Sequence, residues 1–401
     1  MVRASMTHSD IPPIRLLPGR ERRAKAGHPW IFSNEVATGA STKALVPGGL
    51  VRVEGDDGSR LGLYQYNPHS LIAGRRLSRD PEAVAGPGFW HERLASALAL
   101  RERLRDGPYY RLAHAEADGL PGLVLDRYGD VLALQANTAG MELATPDILA
   151  ALRDLLPLRA VVARNDASVR GLEGLPQEVR LLMGEDARAT VEEGGVAFSV
   201  DPLGGQKTGW FYDQRDNRAR VAALSRGQTV LDAFCHTGGF GLQAAKAGAS
   251  EVTLLDRSEH ALATARETAE RNGLADRVAY RRGEAMESLE ALAAEGRQFG
   301  VVVSDPPAFA KTRKDHGPAL RAYARLARLS ARLVAPGGIL FIASCSHHVG
   351  TGEFTDAVVE GLGRARREGR ILGIFGAGPD HPVHPALPES AYLKGVLLHL
   401  S

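Results

Sequence analysis

Cys345 closes an apolar run, Ile339-Leu340-Phe341-Ile342-Ala343-Ser344, so its thiol is expected to emerge at the carboxyl end of a strand. In an open α/β sheet the ligand crevice lies beyond those strand ends. A thiolate at such a place suits covalent catalysis. Added to C6 of a cytosine, it turns the ring into an enamine-like species whose C5 can attack an electrophilic methyl carbon. An inert packing cysteine is the competing reading. A free thiol titrates near ~8.5, so the nucleophile also needs a cation or a helix end beside it. His347, His348 and Lys311 are the candidates that the sequence offers.

Asp305-Pro306-Pro307-Ala308-Phe309 follows a second apolar run, Val301 to Ser304. Two prolines cannot continue a sheet ladder, and they force a rigid turn that displays its groups to a ligand. An acid followed by prolines and an aromatic suits a planar base that is to receive a methyl group, whereas a hydride-transferring site has no evident need of it. A turn that only terminates the strand is the plainer alternative.

A third strand end carries Asp232-Ala-Phe-Cys-His-Thr-Gly-Gly-Phe-Gly241. Gly238, Gly239 and Gly241 remove Cβ atoms from the path of a ligand. Gly239-Phe-Gly241-Leu-Gln-Ala244 also satisfies the G-x-G-x-x-A dinucleotide fingerprint, so on this loop alone a nicotinamide enzyme competes with a methyltransferase. Asp256, ending the next strand, could accept both hydroxyls of an adenosine ribose or merely cap the helix that follows. Glu284, one strand further, faces an adenine amine or is an exposed first-turn acid. Cys235 reads as a packing residue. His236, His347, His348, His381 and His384 match no standard ligand spacing, and no metal is expected.

Strict strand-helix alternation positions these groups. Strands are expected at Thr229–Ala233, Val252–Asp256, Val278–Arg282, Val301–Ser304 and Ile339–Ser344. Helices are expected up to Ala247, over Ser258–Asn272, up to Ala294, and over Leu320–Val334 and Phe354–Arg367. This is a doubly wound parallel sheet. Ile371–Phe375 and Gly395–Leu400 lack a helix between them and are expected to pair antiparallel.

Upstream, Leu50–Glu54 and Arg60–Tyr64 flank a Gly-Asp-Asp-Gly turn and read as a hairpin in a small β domain. A Pro/Gly/Ala stretch near 80–88 suggests a linker. A helix over His91–Arg105, a hairpin of Leu123–Asp126 with Val131–Leu134, a helix over Pro146–Leu156 and a strand at Ala160–Ala163 then indicate an α+β segment. Arg15, Arg20, Arg22, Arg23 and Lys25, and then Arg75, Arg76 and Arg79, make the first domain locally basic, with Trp30 and Phe32 nearby. That fits phosphate contacts plus base stacking, or simply a solvated face. The aromatic-polar stretch Gln206 to Arg215 either packs a domain junction or covers a cofactor.

A chain of 401 residues suggests two or three domains at roughly 150 residues each. Apolar residues at 44% and charged residues at 24% are ordinary for a globular protein, which excludes disordered and fibrous classes. The net charge of +2 is too small to prove a polyanionic partner. The Cys235 and Cys345 thiols, in unlike contexts, form no disulfide scaffold and suit a reducing compartment. No apolar run approaches the ~18 residues of a membrane helix, and the first ten residues lack a signal-like apolar core, so a cytoplasmic protein with no membrane partner is expected.

With these residues assembled, the chain resembles the bacterial ribosomal large subunit methyltransferase I family over nearly its whole length. The resemblance rests on Ala26-Gly-His-Pro-Trp-Ile-Phe-Ser-Asn34, Glu116-Ala-Asp-Gly-Leu-Pro-Gly-Leu-Val-Leu-Asp-Arg-Tyr-Gly-Asp130 and Lys207-Thr-Gly-Trp-Phe-Tyr-Asp-Gln-Arg-Asp-Asn217, with Asp305-Pro-Pro-Ala-Phe309 and Ser344-Cys-Ser346. It implies a PUA-like RNA-binding β domain over 11–79, a central α+β domain over 80–200 and a class I, Rossmann-like seven-stranded methyltransferase domain over 201–401. It further implies 5-methylcytosine formation in 23S ribosomal RNA. S-adenosylmethionine would be held by Asp232, Phe234, Thr237, Gly238, Gly239, Asp256, Arg257, Glu284, Asp305 and Pro306. Cys345 would be the nucleophile, with Asp305 orienting the base.

The substrate would be met by Pro307, Phe309, Lys311, Lys207 and Arg215, and by Arg22, Arg23, Lys25 and Trp30 of the first domain. Two positions depart from the family pattern. Ala308 stands where many cytosine-C5 RNA enzymes carry a cysteine, so release of the adduct falls to Asp305 or water, and Glu284 stands where a shorter Asp is common. The oligomeric state stays open, with a homodimer as one form. A nitrogen methyltransferase with an idle Cys345, a NAD-dependent oxidoreductase and a non-catalytic RNA-binding assembly factor remain as alternatives. Cofactor binding, a Cys345 substitution and methyl transfer would separate them.

Overall fold

The computed structural model describes residues 10–205, 209–310 and 312–401; Lys207 and Lys311 lie outside them. The chain divides into two compact units. The first comprises Met1–Thr190, Val200–Trp210 and Pro379–Pro388; the second comprises Val191–Ser199, Phe211–Gly378 and Glu389–Ser401.

In the first unit, Gly49–Glu54 and Arg60–Tyr66 form the expected antiparallel hairpin, within a five-stranded sheet that also holds Pro13–Arg15, Gly74–Ser78 and Trp30–Ile31. Alternating Val51, Val53, Tyr64 and Tyr66 bury one face against Ile14, Leu16 and Ile31. A second five-stranded sheet is built from Tyr109–His114, Leu123–Tyr128, Val131–Ala136, Ala160–Asn165 and Glu178–Met183. Its one parallel pair, Val131–Ala136 with Ala160–Asn165, requires a crossover, and the helix Ala139–Leu155 supplies it.

That helix starts well before Pro146, where the sequence suggested a first turn. The Thr138 side chain accepts from the Met141 amide as an N-cap, and Met141, Ile148 and Leu152 bury the apolar stripe. Pro146 is carried inside the helix because the tertiary core outweighs its lost hydrogen bond.

The second unit is the doubly wound sheet. Its strands are Thr229–Ala233, Glu251–Asp256, Val278–Arg282, Phe299–Ser304, Val334–Ser344, Gly369–Phe375 and Lys394–Leu400. Their spatial order is third, second, first, fourth, fifth, seventh, sixth. The first five are parallel, and the seventh runs antiparallel to both the fifth and the sixth, as expected from the missing helix. The order reverses beside the first strand, which sets the crevice at the carboxyl ends of the first, fourth and fifth strands.

Helices Ala285–Ala294, His316–Leu333 and Thr351–Arg364 bury Leu289, Tyr323, Leu326, Leu329, Phe354 and Val358 against Leu231, Val302, Leu340 and Ile342 of the sheet. Two helices differ from expectation. His316–Leu333 begins earlier, while Thr351–Arg364 ends before Arg367 because Arg366 turns into the left-handed region at φ 54°.

Candidate active site

The loop after the first strand is held under backbone strain. Phe234 and His236, neither of them glycine, have φ of 62° and 50°. Such outliers persist only where the surroundings over-determine them, and they concentrate at ligand sites. Two hydrogen bonds impose the conformation: the Cys235 amide donates to the Leu255 carbonyl at 3.1 Å, and the His236 amide donates to Asp256 Oδ2 at 2.9 Å. Gly238, at φ 82°, then opens the helix Gly239–Lys246. A Cβ on Gly241 would stand 2.3 Å from Leu254 Cδ2, so glycine there lets the helix pack against the second strand.

Asp232 lies beneath this loop, 1% exposed. Its Oδ2 accepts the Gly241 amide at 2.8 Å, while the buried Oδ1 has no hydrogen-bond partner. Burial pushes its pKa up to about 7. The Gly241 amide opposes that rise, and the charges of Asp305 and Asp256 add to it. Ser258 caps the next helix, its own Oγ accepting the Ala261 amide at 3.2 Å, and Asp256 accepts the Ser258 amide through Oδ1 at 2.8 Å. Each of its oxygens therefore has one bond and a lone pair in reserve, enough for two ribose hydroxyls.

These features fit S-adenosylmethionine. An orphaned buried carboxylate oxygen suits the ammonium of its amino-acid part, a half-satisfied Asp256 suits its ribose, and glycines allow close approach. Thr237 is half-buried in the same loop. Arg257 and Glu284 stand 3.8 Å apart as an exposed ion pair at neighbouring strand ends.

The Asp305 turn and the Cys345 turn leave adjacent strands, whose register pairs Ser304 with Ile342. The Asp305 amide reaches the Ala233 carbonyl at 3.4 Å. Pro306 is buried, Pro307 is exposed, and Phe309 packs its ring 4.8 Å from that of Tyr323. Cys345 is partly exposed and outside any disulfide. A hydroxyl cluster joins the two turns: the Ala310 amide donates to Ser346 Oγ at 3.2 Å, and the Tyr323 hydroxyl lies 2.8 Å from both Ser346 Oγ and Ser344 Oγ. Every member is buried and paired, so the cluster fixes the spacing between the Asp305 and Cys345 turns.

Cys235, in contrast, is buried, and desolvation pushes its thiol well above the ordinary range. His347 stacks on Tyr392 at 5.2 Å and its pKa is pushed down, chiefly by desolvation, so it is not the cation that the thiol requires. Lys394 is the buried cation near Cys345 that the sequence reading missed: its Nζ donates to the Ser346 and Val349 carbonyls at 2.7 and 2.8 Å.

The proposed substrate contacts that the structure describes are divided between the two units. Arg215 pairs with Glu193 at 3.2 Å, its side chain only 12% exposed, and that carboxylate also binds Arg218 at 2.6 Å and Gln243 at 2.8 Å. Glu193 belongs to a two-stranded ribbon, Ala189–Glu193 with Val196–Val200, turning at Gly194-Gly195. Both glycines have positive φ, and a Gly-Gly pair between alternating residues was the available signal for it.

Phe211 touches the loop, its ring 5.4 Å from that of His236. Arg22, Arg23, Lys25 and Trp30 lie in the first unit. Lys25 is paired with Asp57 at 2.5 Å, Arg23 lies 4.6 Å from the Phe32 ring centre, and Trp30 donates its indole N–H to Glu116 at 2.7 Å. Arg22 is exposed.

Comparison with known proteins bears on both units. Residues 14–79 match the PUA-like domain family, and residues 161–398 match the S-adenosylmethionine-dependent methyltransferase family. The curated relatives include "Ribosomal RNA large subunit methyltransferase I" of Photobacterium profundum, 39% identical over 95% of this chain and 98% of its own. The protein of the same name from Shewanella denitrificans is 38% identical over 96% and 98%. A Streptococcus mutans chain assigned as an S-adenosylmethionine-dependent methyltransferase shares the fold, with a TM-score of 0.80 at 19% identity, covering 97% of this chain and 100% of its own. So does a methyltransferase structure complexed with SAH, at TM-score 0.82 and 20% identity, with the same coverage. The family match decides the glycine loop against the nicotinamide reading.

Proposed function

The chain belongs to the ribosomal RNA large subunit methyltransferase I family of S-adenosylmethionine-dependent methyltransferases, and from that premise we propose that it forms 5-methylcytosine in large-subunit (23S) ribosomal RNA. The observation that carries the reading is the hydroxyl cluster of Tyr323, Ser344 and Ser346, which ties the turn bearing Cys345 to the turn bearing Asp305. A nitrogen acceptor would need the acid turn alone. Joining a partly exposed thiol rigidly to it is what covalent activation of a carbon requires.

When bound, the cofactor supplies an electrophilic methyl group to C5. Asp232 and Asp256 hold its charged and ribose ends. Asp305 accepts from the exocyclic amine and orients the ring. The Cys345 thiolate forms a bond to C6, and the C5–C6 electron pair becomes available at C5. After C5 has gained its fourth substituent, a base removes the C5 proton, the double bond re-forms and the carbon–sulfur bond breaks. Ala308 carries no thiol, so Asp305 or a water molecule takes that proton. A cytosine inside a duplex must first be flipped out. The PUA-like domain, with exposed Arg22 and Arg23, would contribute phosphate contacts, and Lys311 and Lys207 would add positive charge for the RNA.

Incubation with S-adenosylmethionine and 5-fluorocytidine-substituted 23S ribosomal RNA tests the reading, because fluorine at C5 cannot leave as a proton and the adduct is trapped. A covalent complex that survives denaturation, absent in Cys345→Ala, is expected. Methyl transfer to cytosine that persists in Cys345→Ala would overturn the thiol mechanism.

A further inference from the structure

Lys394 opens the last strand with 4% exposure, and the antiparallel register sets it opposite Ser344, the residue before Cys345. An ammonium taken out of water is costly unless it is paired. No ion pair of Lys394 with a carboxylate is found among the described residues. Its partners are backbone carbonyls, those of Ser346 and Val349, on either side of the bend that follows Cys345. Two of its three N–H groups hold that bend, and one remains.

We propose that Lys394 is a positioning residue that fixes the Cys345 turn and supplies the positive charge that favours its thiolate, an inference resting on the reading of Cys345 as the nucleophile. Carbonyl dipoles orient a cation without cancelling its charge, so the field of Lys394 extends to the neighbouring thiol. The coupling runs both ways: burial lowers the lysine's own pKa, and the charge of Cys345 opposes that fall.

The other groups around the turn do not take this role. Tyr323, from the helix His316–Leu333, has a phenol raised by burial and committed to Ser344 and Ser346. His347 is held toward its neutral form and stacks on Tyr392, whose hydroxyl donates to Asp213. His348 is exposed, and Asp305 is an acid on the neighbouring turn that favours the neutral thiol.

The test is the rate of Cys345 alkylation by iodoacetamide against pH in the intact chain, read at the peptide level by mass spectrometry, for the natural protein, Lys394→Met and Lys394→Arg. The natural protein should show a midpoint below the ordinary ~8.5 of a free thiol. Lys394→Met should raise the midpoint by about one unit, a roughly tenfold loss of rate at pH 7, and Lys394→Arg should restore most of it. A folded Lys394→Met with an unchanged midpoint overturns the proposal. If Lys394→Met does not fold, a natural-protein midpoint at or above ~8.5 overturns it by itself. Alkylation needs no RNA, so a missing fluorocytidine adduct with a shifted alkylation profile would count against the catalytic reading and leave the electrostatic one standing.

Discussion

Asp232 couples the cofactor loop to pH. Its folded-state pKa of about 7 lies above the ordinary 3.8, so the folded chain keeps this proton where the unfolded chain has lost it. The stabilisation is complete below pH 3.8 and is lost as pH rises through 7. An ammonium seated against Oδ1 favours the ionised form, so S-adenosylmethionine binding between pH 6 and 7 should release protons. Titration calorimetry in two buffers of different ionisation enthalpy checks this: the apparent binding heat should differ between them, and Asp232→Asn should abolish the difference. Equal heats for the natural protein would place the ammonium elsewhere. Asp232, Asp256, Asp305 and Cys345 were legible in the sequence because each ends a strand, and topology dictates that strand ends converge. Lys394 and Tyr323 were not, because their role depends on a register and a helix rotation that bring distant residues to the Cys345 turn.

Helix packing carries the site's geometry one level up. Tyr323 reaches the hydroxyl cluster from His316–Leu333, and that helix lies against Thr351–Arg364 at a close crossing centred on Gly361. A Cβ on Gly361 would stand 2.5 Å from the Ala324 carbonyl oxygen and 2.6 Å from Ala327 Cβ, backbone and rigid neighbours that cannot swing aside. Gly361→Ala should therefore push the helices apart and cost roughly 1–3 kcal/mol of stability. It should also slow fluorocytidine adduct formation, because the Tyr323 brace moves with its helix. Thermal denaturation and adduct yield are the measurements, and a variant as stable as the natural chain would show that the crossing relaxes freely. The alternation of strands and helices was readable from apolar periodicity. The Pro146 helix was misjudged at its start because a proline usually marks a first turn, and here Thr138 supplies the cap upstream.

At the scale of the whole molecule, neither unit is one continuous stretch of chain. Pro379–Pro388, between the last two strands of the methyltransferase sheet, belongs to the first unit. Asp380 anchors it there, fully buried: Oδ1 accepts from Arg105 Nη2 at 2.9 Å, Oδ2 accepts the Arg111 amide at 3.2 Å, and its carbonyl accepts from Arg101 at 3.0 Å. Local periodicity carries no trace of this, since a Pro-rich connection reads alike whether it is free or docked. Asp380→Ala removes the buried carboxylate bonded to Arg105 and to the Arg111 amide, and breaking a buried pair of this kind commonly costs about 3–5 kcal/mol. Amide hydrogen exchange should then quicken in Pro87–Leu104 and Tyr109–His114, far away in sequence, while Val334–Ser344 keeps its protection. If the last strands loosen as much as Pro87–Leu104 does, the segment is held by the sheet that precedes and follows it, and Asp380 is not the anchor.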